Sequence, residues 1–68
     1  MFKKLFDELM VAETVEQIYH ILYRNKSDTE DYGVDIAYQR EKISAKDHER
    51  LFKLAGIIER CLKNEKAV

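Results

Sequence analysis

At 68 residues the chain lies near the short end of the domain range, so one domain is its limit and only a thin core can form. It is 46% hydrophobic and 37% charged, with 12 basic and 13 acidic side chains, one Cys, two Gly and no Pro. These proportions exclude collagen-like, disulfide-stapled and low-complexity chains, and a disordered chain would be poorer in apolar residues.

The first apolar stripe, Phe2, Leu5, Phe6, Leu9 and Met10, has helical spacing. Continued at 100° per residue, that helix would carry Val15, Ile18 and Leu22 to its opposite face, so the chain must break between the two stripes. Thr14 followed by Gln17 gives the break its chemistry. In such a capping box the hydroxyl accepts from an early backbone N–H and the amide returns to the cap. The expected helices are therefore about 2–12 and 15–25.

Residues 26–34 hold turn formers and the acids Asp28, Glu30 and Asp31 without a periodic apolar face, which predicts an exposed acidic loop. Val34, Ile36 and Tyr38 alternate like a strand, but a lone strand would leave its backbone groups unsatisfied. A short helix around 35–42 is the better reading. Ser44 then caps a long helix of about 45–64, with Leu51, Leu54, Ala55, Ile58, Cys61 and Leu62 as its stripe. Gly56 interrupts this helix away from the apolar face. The predicted fold is all-α: one domain over 1–68, a compact small bundle of three main helices and the short fourth. Leu51, Leu54, Ile58 and Leu62 are expected to pack against Phe6, Leu9, Ile18 and Leu22.

Metal and catalytic patterns fail on inspection. Asp28, Glu30 and Gly33 fall at the first, third and sixth positions of a calcium loop, yet Tyr32 and Gln39 occupy its fifth and twelfth. Glu16 and His20 share a helix face, but a zinc site needs three or four ligands, and Cys61 is expected to face the core. No phosphate loop or nucleophile motif is present, so no cofactor and no catalysis are expected.

The longest stretch without a formal charge runs from Gln17 to Tyr23, far short of the ~20 apolar residues that cross a bilayer. Lys3 and Lys4 resemble the start of an export signal, but Asp7 and Glu8 interrupt it, which suggests a cytoplasmic protein. The same acids make the first helix a poor anchor for anionic lipid, so no membrane partner is expected.

The net charge of −1 divides into −3 for residues 1–34 and +2 for 35–68. On the last helix, Lys46, Arg50, Lys53, Arg60 and Lys63 recur on one stripe opposite the core, with Gly56 among them. That stripe is the candidate partner-binding surface, and the acidic loop offers one of opposite sign. Glu49–Lys53 and Glu59–Lys63 are also the i,i+4 pairs of any solvated helix. A protein partner is the principal expectation. A nucleic acid gripped by the same cations is the alternative, which the near-neutral charge disfavours. A homodimer completing a thin core is the third.

The stretch from Ala12 through Thr14, Gln17 and Ile18 to Lys26 resembles the second-helix opening of the haemolysin-expression-modulating family. Ser44-Ala45-Lys46-Asp47-His48-Glu49-Arg50-Leu51 is similar to that family's Ser-Ala-Ala-Asp-His-Arg-Leu segment. The two patches cover under half the chain, and the second carries one extra residue, which rotates the remainder of the helix by 100°. The resemblance implies a small helical protein that modulates transcription through a nucleoid-associated partner, with no site residues transferred. Independently of the resemblance, the absence of catalytic motifs together with a charged stripe and an acidic loop of opposite sign leads to the expectation of a small regulatory or inhibitory protein, its size suited to the accessory set of a bacterial or phage genome.

Overall fold

A computed structural model describes residues 1–26 and 31–66. Four helices account for most of them: α1 (Phe2–Met10), α2 (Val15–Tyr23), α3 (Val34–Gln39) and α4 (Ala45–Lys66). A two-residue antiparallel ladder joins β1 (Asn25–Lys26) to β2 (Asp31–Tyr32), pairing Asn25 with Tyr32 and Lys26 with Asp31. The all-α bundle expected from periodicity is what forms.

The break between α1 and α2 falls where the stripes change phase. Thr14 takes an extended conformation and its hydroxyl accepts from the Gln17 N–H at 3.1 Å. The Gln17 amide oxygen accepts from Glu13 N–H at 2.6 Å rather than from Thr14, so the box closes one residue before the cap. Ser44 caps α4 by accepting from Asp47 N–H at 3.1 Å, which places the Asp47 carboxylate in the positive first turn.

The core is built from Leu5 and Leu9 of α1, Ile18, Ile21 and Leu22 of α2, Val34 and Ala37 of α3, and Leu51 and Ala55 of α4, closed by Tyr32 and Ile43. Leu54, Ile58 and Leu62 are only partly buried against it. Phe6, expected inside, is 38% exposed, because it lies at the edge of the Leu5–Leu9 face and instead stacks on Phe2 with ring centroids 5.9 Å apart. Across the α1–α2 junction, Arg24 places one guanidinium nitrogen 2.9 and 3.1 Å from the two Glu8 oxygens, its side chain 6% exposed. That cation sits at the negative end of α2.

The expected exposed loop over 26–34 needs correcting at its far end, where Tyr32, Gly33 and Val34 are buried. Gly33 N–H donates to the Arg24 carbonyl at 2.8 Å and its Cα lies against the last turn of α2. A Cβ there would collide with the Ile21 carbonyl oxygen and come within 2.8 Å of the Leu22 carbonyl carbon. Only glycine permits so close a backbone approach. Asp28 and Glu30 lie outside the described residues.

The α3 helix ends in a Schellman motif. Glu41 N–H donates to the Tyr38 carbonyl at 3.0 Å and Lys42 N–H to Ala37 at 2.9 Å, with Glu41 at φ 58°, the left-handed region. Its side chain occupies a position that usually holds glycine.

Candidate interaction surface

α4 carries the candidate stripe along its outer face, and Lys46, Arg50, Lys53, Gly56, Arg60 and Lys63 are all exposed, as the wheel requires. Two of the cations are held by neighbours one turn away: Lys53 Nζ lies 3.0 Å from Glu49 and Lys63 Nζ lies 3.1 Å from Glu59. Lys46, Arg50 and Arg60 form no ion pair with a described residue. The stripe therefore presents five cations against two carboxylates in a chain of net charge −1.

Beside it runs a row of rings contributed by three helices. Tyr38 of α3 meets His48 of α4 at 4.6 Å, and His48 meets Phe52 at 4.6 Å. Phe52 takes the edge of Tyr23 at 5.8 Å, and Tyr23 tilts against Tyr19 at 6.4 Å. The three tyrosines are about half exposed, at 43–55%. Sequence reading missed this row. Its local traces are the i,i+4 pairs Tyr19–Tyr23 and His48–Phe52, which helical spacing places side by side.

The row and the stripe meet at Glu59. One carboxylate oxygen accepts the Tyr19 hydroxyl at 2.8 Å and also faces Lys63 Nζ. The hydrogen bond from Tyr19, helped by Lys63, holds the Glu59 carboxyl below its usual range. The same bond raises the Tyr19 phenol, and the Glu59 carboxylate raises the Lys63 ammonium.

Gly56 lies between these features. A Cβ there would find nothing within 4 Å, so the glycine is not required by internal packing. It leaves a shallow depression lined by Glu59, Arg60, Lys63 and Asn64.

Other sequence candidates disperse. Cys61, expected in the apolar stripe, is exposed, because its position lies off the Leu51–Ala55–Ile58 centre line. Glu16 and His20 lie on the exposed side of α2, and no group of three or more His, Cys, Asp or Glu could hold a metal among the described residues. Asp31 is in β2. Among the described residues no helix is long and apolar enough to cross a membrane. Comparisons with protein-family models, with curated proteins and with solved structures find no match to the chain.

Proposed function

We propose that the chain is a small, non-catalytic regulatory or inhibitory protein of the cytoplasm that acts by binding another protein. The supporting observation is the side of α4 where a row of half-exposed tyrosines meets the basic stripe at Glu59 and Lys63. Tyr and Arg are the residue types that dominate binding energy at protein interfaces. A monomer gains little from leaving such rings in water, whereas a partner that covers them recovers their burial. The test is affinity capture with the tagged chain from lysate of its own cells, with and without nuclease. A stoichiometric protein that survives nuclease and is lost from Lys53→Glu/Arg60→Glu supports the reading. Retention by that variant removes the stripe from it.

The five cations and adjacent rings also favour a second reading, a nucleic-acid-binding module. It requires affinity that falls steeply with salt, with a shallower slope after charge reversal at Lys53 and Arg60. Salt-independent binding to DNA or RNA would dismiss it.

A further inference from the structure

The two flanks of α4 have different neighbours. His48, Phe52 and Glu59 turn toward α3 and α2, where they meet Tyr38, Tyr23 and Tyr19. α1 also packs on α4, so it lies against the opposite flank, which at 100° per residue carries Leu54, Ile57 and Cys61. On α1 the Glu8 side is turned to α2 by the Arg24 pair, which leaves Phe2, Phe6 and Met10, spaced four apart, on the side next to α4. The seam between the two helices is therefore apolar on both walls and poorly covered: Phe6 is 38%, Met10 57% and Ile57 60% exposed, and Cys61 is exposed as well. Its α4 rim is cationic. Lys53 and Arg60 stand one turn from Ile57 and Arg50 two turns from it. Arg50 and Arg60 pair with no described residue, whereas Lys53 is held by Glu49. At the α1 edge Lys3 and Asp7 balance each other, so the two arginines are left as an excess of positive charge along one side of the seam.

We propose that this seam seats an amphipathic helix of the partner protein, its apolar face lying between α1 and α4 and its acidic edge meeting Arg50, Lys53 and Arg60. The inference rests on the protein-binding reading above and names the partner's chemistry at the other edge of the same stripe. Apolar walls and a one-sided cationic rim together select the occupant. A nucleic acid would satisfy the cations but leave the walls in water. A second copy would cover the walls, but its own seam offers the cations only a like rim or the balanced Lys3–Asp7 edge. An anionic bilayer presents its charge to Asp7 as well, whereas a helix sets its acids along the α4 rim alone. Laying an amphipathic helix into an apolar groove is a recurrent mode of peptide recognition.

The test is a selection from a phage-displayed library of random peptides of about 16 residues, long enough for four helical turns, on the full 68-residue chain. Binding of enriched peptides is then measured to wild type, Ile57→Glu, Met10→Gln and Arg50→Glu/Arg60→Glu. Ile57 is mostly exposed, and a glutamate there stands one turn from both Lys53 and Arg60, so the thermal midpoint of Ile57→Glu is expected at the wild-type value, which separates lost binding from lost folding. The expected peptides have apolar residues at three- and four-residue spacing with acids beside them, and bind Ile57→Glu and the double variant about tenfold more weakly and Met10→Gln less tightly than wild type. Peptides that bind Ile57→Glu undiminished, or that lack acids, overturn the seam while protein binding stands. A dimer in sedimentation that Ile57→Glu dissociates makes a second copy the occupant, and binding to phosphatidylserine vesicles that Ile57→Glu abolishes makes it a lipid surface; either overturns the helix. A selection that enriches nothing overturns it too, and the protein-binding reading falls with it only if the material captured from lysate is all nuclease-sensitive.

Discussion

The Tyr19 hydroxyl reaches the Glu59 carboxylate at 2.8 Å across forty positions of chain and ties the exposed side of α2 to the middle of α4. The bond is on the surface, so its contribution to stability is small. Its value lies in orientation, because Glu59 can face both Tyr19 and Lys63 only while the two helices hold their present crossing.

This network has a defined pH window. Glu59 titrates below the ordinary glutamate value of 4.5, so its contribution is full above that value and disappears as pH falls through the depressed one. Tyr19 and Lys63 titrate above 10.0 and 10.5, so theirs is full below those values and is lost as pH rises further. In Tyr19→Phe the Glu59 carboxyl is expected to titrate closer to 4.5, read by carboxyl carbon NMR. An unchanged midpoint would show that the hydroxyl is not what depresses it.

The two glycines should respond oppositely to alanine. Gly33→Ala forces a Cβ into the α2 backbone and is expected to cost about 2–4 kcal/mol, a large part of the ~3–10 kcal/mol available to a chain of this length. Gly56→Ala meets nothing and should add up to ~1 kcal/mol through helix propensity. Urea midpoints of the two variants check both signs, and a stable Gly33→Ala would contradict the close approach.

Glu41 holds a left-handed conformation that L side chains adopt at a cost of about 1 kcal/mol, at the position where a Schellman motif favours glycine. Glu41→Gly is therefore expected to stabilise the protein by roughly 0.5–1 kcal/mol. Destabilisation in a denaturant titration would mean that the Glu41 side chain is needed where it is.

Features governed by local periodicity were legible in the sequence. The Thr14 and Ser44 caps, the phase break after Met10 and the Leu51–Ile58 stripe depend on residues within a turn or two of each other. The outward cations are set by the same wheel. Errors arose at stripe edges and across distant contacts. Phe6 and Cys61 lie where the helix turns from core to solvent, and how far a nine-residue neighbour covers that edge is decided by packing. Tyr32 and Gly33 are polar-looking turn residues whose burial depends on the last turn of α2. The aromatic row joins positions as far apart as 19 and 52 across three helices, so no local pattern displays it.

Because Cys61 is exposed, it should react in the native state. Ellman's reagent is expected to titrate one thiol at the rate of a free cysteine, and Cys61→Ser should change stability by less than about 0.5 kcal/mol. Reaction limited by the unfolding rate would return the thiol to the core.

α4 also acts as a ruler. Lys46 and Lys63 stand on one continuous helix, and at 1.5 Å per residue they are about 26 Å apart along it. A ligand that engages both ends must match that span, with ~17 residues if helical or ~8 if extended. A partner that reaches the surface through a single tight loop covers only a turn or two. Charge reversal at Lys46 and at Lys63, made separately, therefore measures the length of what binds: equal losses denote a long, linear ligand, and a one-sided loss denotes a short one.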